Sequence, residues 1–178
     1  MTKRDDLVRA STDYALEHGL IGLSLRPLAA AIGTSDRMLI YHFGSKDALV
    51  AAVLAESNDR SMSILRALPA SSSTSRAVSD LWAAFMEPQV QRCQRTYVEA
   101  AALGLFGREP YATSVRASND VWIDVMTTHL QRSGVAAERA RVLANLVDAT
   151  FNGLFLDRPL DDEADADAVV QALADALG

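Results

Sequence analysis

The chain has 178 residues, of which 49% are hydrophobic and 6% aromatic, and a formal net charge of −6. That length buries a real core, in one domain or two small ones. The acidic balance excludes a protein that coats nucleic acid through a broad basic field, and the single cysteine, Cys93, excludes an internal disulfide.

Alanine fills much of the hydrophobic share, a helix-forming composition, and no stretch alternates in period two for long enough to argue for a sheet. No apolar run approaches the roughly 18 residues of a membrane span, and no signal-peptide pattern precedes the first helix. The expected location is cytoplasmic, with no membrane partner.

The first helix is read over Lys3 to His18, with Leu7, Ala10, Ser11 and Tyr14 inward and Gly19 as its end. Leu20, Leu23 and Leu25 continue the apolar surface. A short second helix enters at Ser24 or Leu25 and carries Pro27 in its first turn, where no backbone donor is needed. Leu25, Leu28, Ala29 and Ile32 share its face, and Gly33 ends it. Ser35 then caps a third helix from Asp36 to about His42, whose start suits the carboxylate of Asp36. Two short helices around a glycine turn make a helix-turn-helix. On the third helix Leu39 and Phe43 lie four apart and anchor it, while Asp36, Arg37, Met38, Tyr41 and His42 point outward.

Gly44 breaks the chain and Ser45 caps a long fourth helix to about Leu68, with Leu49, Val53, Ser57, Ile64 and Leu68 near one stripe. A polar loop from Pro69 to Ser75 follows. Five more helices are read after it. Arg76 to Glu87 buries Val78, Leu81, Trp82 and Phe85; Gln89 to Phe106 places Val90, Cys93, Tyr97, Ala101 and Leu105 on one side. Tyr111 to Arg132 carries Val115, Asn119, Trp122, Met126 and Leu130. Ala136 to Leu156 shows Ala140, Leu143, Leu146, Val147, Thr150, Phe151 and Leu154. The last helix carries Val169, Val170, Leu173 and Leu177, after a loop in which Asp161, Asp162, Glu163, Asp165 and Asp167 read as a solvated linker and helix start. The fold class is all-α, with nine helices.

Catalytic chemistry finds little support. His18, His42 and His129 sit in three different helices without metal-ligand spacing, and Cys93 lies on an apolar stripe as a small buried residue. There is no Gly-rich phosphate loop and no nucleophile elbow. The acidic run lacks the loop glycine and terminal glutamate of a calcium site. The chain reads as a non-enzyme without metal or cofactor.

The segment AAAIGTSDRMLIYHFGSKDAL resembles the signature of TetR-type transcriptional repressors. The match runs from Gly19 to Leu49 without a gap, and is most specific in Tyr41-His42-Phe43, Lys46 and Leu49. The family usually has a small residue where this chain has Arg37 and a second aromatic where it has Ile40, departures that bear on which operator is read. The resemblance implies a DNA-binding domain over residues 1–45 and a ligand-binding and dimerisation domain over 46–178. Ser24, Ser35, Asp36, Arg37, Met38, Tyr41, His42 and Lys46 are the expected DNA-facing residues. Arg37 suits a bidentate pair to guanine and Met38 a thymine methyl, while Tyr41, His42 and Lys46 resemble the family's phosphate contacts. The first 47 residues are neutral, Lys3, Arg4, Arg9, Arg26, Arg37 and Lys46 balancing Asp5, Asp6, Asp13, Glu17, Asp36 and Asp47. Operator recognition therefore needs a few placed contacts from each half of a dimer.

Trp82, Phe85, Met86, Tyr97, Asn119, Trp122, Met126 and Phe151 are the candidate lining of an inducer pocket, since apolar walls with a few polar groups suit one. The last two helices are expected to pair with their symmetry mates in a homodimer, which a palindromic DNA operator requires. The functional expectation is a repressor released from its operator by a small molecule. A second reading keeps the fold as a ligand-binding or interaction protein that has lost operator binding.

Overall fold

In the computed structural model, residues 2–160 and 165–178 are described. Asp161, Asp162 and Glu163 of the expected acidic linker lie outside them. Among the described residues there are nine helices: α1 (Lys3–His18), α2 (Leu25–Ala31), α3 (Asp36–Phe43), α4 (Lys46–Arg66), α5 (Thr74–Phe85), α6 (Pro88–Leu105), α7 (Tyr111–Arg132), α8 (Ala137–Asp157) and α9 (Ala166–Leu177).

Local chemistry sets most of the boundaries. Thr2 and Asp5 form a reciprocal capping box at the start of α1. The Ser35 hydroxyl accepts the Met38 N–H at 3.2 Å and Ser45 accepts the Ala48 N–H at 3.0 Å, so two serines start α3 and α4. Gly33 takes φ +69°, a left-handed conformation that a side chain would strain, and so turns α2 toward α3. The long fourth helix ends earlier than expected: Ala67 and Leu68 bond back only three residues, ahead of Pro69. Conversely, α5 starts two residues earlier, because Ser73 accepts the Arg76 N–H at 3.1 Å.

The chain divides into two compact units, Met1–Ser61 with Pro88–Asn119, and Met62–Glu87 with Asp120–Gly178. In the first, α2 packs on α3 and both pack on α1, which also packs on α6. Its core gathers Leu7, Val8, Leu20, Leu28, Leu39, Phe43, Leu49 and Val53, with Ala100 entering from α6. The inward stripe of α1 is wider than expected: Val8, Thr12, Ala15 and Leu16 are buried, while Ala10 and Tyr14 are half-buried. On α6 the face is rotated from the expected one. Val90, Cys93, Gln94, Thr96 and Ala100 are buried, and Leu105 is 88% exposed. The reason is Gly104, whose bare Cα lets α6 approach the start of α7: a Cβ there would lie 3.1 Å from the Ala112 Cα. Leu105 is thereby turned away.

In the second unit α5 packs on α8 and, most extensively, on α9. Its core holds Met62, Leu65, Val78, Leu81, Phe85, Met126, Leu130, Val147, Phe151 and Val170. The Trp82 indole N–H donates to Asp167 Oδ1 at 2.7 Å, pinning α5 to the first turn of α9. Leu146 and Val169 are exposed, while α8 buries Leu143, Ala144, Val147 and Phe151 and α9 buries Ala166, Val170 and Ala174. No single helix among the described residues is long and apolar enough to cross a membrane.

Candidate DNA interface and effector site

The third helix is held from beneath and bare above. Leu39 is 1% exposed and Phe43 is buried, so two residues one turn apart root α3 in the first unit's core. The Arg4 guanidinium sits over the Phe43 ring, 5.0 Å from its centroid, so this cation is engaged inside the unit. On the other side Ser35, Asp36, Arg37 and Met38 are exposed, and Tyr41 is 78% exposed. His42 is half-buried and meets Tyr41 edge-on at 5.2 Å, so it points outward less than its spacing suggests. Asp36 Oδ1 accepts the Arg37 backbone N–H at 2.8 Å, which spends that carboxylate on the helix start. Ser24 and Lys46 are exposed, and the Ser24 hydroxyl makes no capping bond. The α3 and α4 axes break by 76° at Gly44 and Ser45, leaving Lys46 beside the end of α3.

The expected pocket residues divide between the units. Around Phe85 the second unit brings together Trp82 at 5.7 Å, Phe151 at 5.4 Å and Trp122 at 6.1 Å between ring centroids. Met126 is fully buried in that unit's core, and Met86 receives the Arg158 guanidinium on its sulfur at 3.4 Å. Tyr97 and Asn119 belong to the first unit, both half-buried.

Several residues to which the sequence reading gave no site role make notable contacts. Phe155 meets Phe85 edge-on at 6.0 Å. Burial pushes the Asp148 carboxyl above its ordinary value, against hydrogen bonds from Trp122 and Asn152 that lower it. Its signal was present, since Asp148 follows Val147 on a stripe that Leu143, Ala144 and Phe151 mark as inward. His129 is 2% exposed, with Nε2 3.4 Å from the Ser71 hydroxyl and Nδ1 without a partner. Burial holds its pKa below the ordinary value, Asp80 opposing and Arg132 assisting. In the first unit the Glu99 carboxylate accepts the Leu20 and Ile21 backbone N–H groups. No periodicity of α6 announced that contact, which spans 79 positions along the chain.

Residues 7–53 match the family model described as bacterial regulatory proteins, tetR family. No curated protein sequence matches the chain. Its fold is similar to that of a transcriptional regulator from Rhodococcus sp. Rha1, at 22% identity and TM-score 0.80, over 99% of this chain and 96% of that one. A TetR transcriptional regulator from Legionella pneumophila is similar at 17% identity and TM-score 0.76, over 99% and 97%. The multidrug binding protein EbrR complexed with imidazole is similar at 18% identity and TM-score 0.71, over 99% and 95%. Residues 7–53 therefore carry the amino-terminal segment of the tetR family of bacterial regulatory proteins, and the all-helical fold of the chain is similar to that of solved TetR transcriptional regulators.

Proposed function

We propose that the protein is a homodimeric repressor that binds a palindromic operator through residues 1–45 and releases it when a small molecule binds within residues 46–178. The observation that carries this reading is the division of α3 into a rooted face, Leu39 and Phe43, and a bare face, Arg37, Met38 and Tyr41. In that arrangement Arg37 and Met38 read bases, while Ser24, Ser35, Tyr41, His42 and Lys46 hold the phosphate backbone. Asp36 serves the helix start. A dimer presents two such helices to successive major grooves. Exposed apolar side chains support pairing through the last helices: Val142, Leu146 and Leu156 on α8, and Val169 on α9.

Effector sensing is assigned to the cluster around Phe85, where Trp82, Trp122, Met126 and Phe151 supply apolar walls and Asp148 a carboxyl group. That a protein of similar fold is a multidrug binding protein, complexed with imidazole, supports a ligand-responsive role. A ligand that favours one conformation of the dimer lowers operator affinity by its differential affinity for the two states. The test is a mobility shift with duplex DNA from upstream of the gene, beside a random duplex. A shift specific to the upstream DNA and lost in Arg37→Ala is expected; equal retention of both duplexes, or of neither, sinks the proposal.

A further inference from the structure

The second unit carries a cleft that the Phe85 cluster does not use. Its volume is about 380 Å³, within the range of small-molecule sites, and it lies between the end of α4 and the outer face of α7. Leu65, Val121 and Val125 supply its apolar lining, and two arginines, Arg66 and Arg132, complete its charged part. Neither arginine has an ion-pair partner among the described residues. The one acid in the lining, Asp124, is already paired with Arg141 at 2.5 Å. The Thr128 hydroxyl is spent on the Asp124 backbone carbonyl at 2.8 Å.

The inner wall is preformed. His129 is almost fully buried, and its ring faces Ser71, whose hydroxyl donates to Asp80 Oδ2 at 2.7 Å. Ser133 donates to the His129 carbonyl at 2.8 Å and accepts the Ser71 N–H at 3.0 Å, closing the network behind the cleft. An apolar trough lined by two arginines without ion-pair partners suits an organic anion. Planar, forked donors match a carboxylate in particular.

We propose that this cleft binds a small monocarboxylate, its carboxylate held by Arg66 and Arg132 and its hydrocarbon body laid on Leu65, Val121 and Val125. The site is independent of the Phe85 cluster, and it is read by binding alone, so loss of operator release and loss of this site are separate results.

The experiment titrates the full chain calorimetrically with sodium octanoate, beside acetate, 1-octanol and octylamine. Octanoate should bind saturably, one per subunit, with the other three at least about tenfold weaker, because each lacks either the charge or the apolar body. Arg66→Gln combined with Arg132→Gln should weaken octanoate about tenfold or more; both side chains are exposed, so helicity and melting should be unchanged. If the pair nevertheless unfolds, Arg132→Gln alone carries the same reading. Val125→Trp, which crowds the apolar lining, should abolish binding. The proposal is overturned if octanoate gives no heat of binding, if 1-octanol or acetate binds as tightly, or if the folded arginine variants bind octanoate like wild type.

Discussion

Glu99 Oε2 accepts the backbone N–H of Leu20 at 2.6 Å, and that of Ile21 at 2.7 Å, so a carboxylate on α6 grips the turn that leaves α1. Gly19 makes room for it. The residue sits at φ +85°, and a Cβ there would lie 2.9 Å from Glu99 Oε1. Glu99→Ala should therefore destabilise the protein by about 1–3 kcal/mol, the range for stranding partly buried donors. Gly19→Ala should cost about 1–3 kcal/mol through backbone strain and crowding. Only the crowding disappears when Glu99 is already alanine, so a double-mutant cycle followed by urea melts should show the double variant destabilised by less than the sum of the two singles. Strict additivity would count against the packing of these two residues.

The DNA-facing residues should separate by role. Lys46→Ala and Tyr41→Phe should weaken binding to every duplex alike, with Lys46→Ala lowering the salt slope by about one unit. Arg37→Ala should cost about 1–3 kcal/mol on the true operator and relax its preference at one base position. Fluorescence anisotropy at several salt concentrations, on the operator and its point variants, distinguishes the two classes. Unchanged affinity and preference in Arg37→Ala would remove it as the reader.

Pairing of subunits should depend on the bare stripe of α8. Leu146 is 45% exposed although it lies on the helix's apolar side. Leu146→Glu should leave a folded monomer, since the residue is exposed on the subunit, and should reduce operator affinity with it. Sedimentation equilibrium reads the mass, and a dimer as tight as wild type would place the interface elsewhere.

Acid should act on Asp148 in a definite direction. Its carboxyl is raised above the ordinary 3.8 by burial, so the native state holds this proton more firmly than the unfolded chain does. The residue's contribution to stability is therefore fully present below 3.8 and is lost as pH rises through the raised native value. Asp148→Asn keeps an acceptor for the Trp122 N–H and removes the titration. Relative to wild type, the variant should melt higher at neutral pH, with the gap closing on acidification. A gap that is constant with pH would show that Asp148 titrates normally.

The start of every helix but one lies within about two residues of its sequence reading, since caps and glycine ends act over a single turn. The exception in kind is α9, which follows residues the structure does not describe. The helix-turn-helix was legible for the same reason: Ser35, Gly33 and the pair Leu39 and Phe43 fix its geometry locally, and the family resemblance runs through them. What the sequence left open depends on which helices meet. Periodicity marks a face as apolar without saying whether it is spent inside the subunit, so Leu105, read on the apolar side of its helix, is exposed. Polar partners distant in the chain leave no local pattern at all. Only tertiary packing joined Glu99 to Leu20 and Trp82 to Asp167, and only packing assigned Tyr97 and Asn119 to one unit and Phe85 to the other. It also turned Asp148 and His129, ordinary polar residues in the sequence, into buried titratable groups, because desolvation depends on neighbours that the chain brings in from afar.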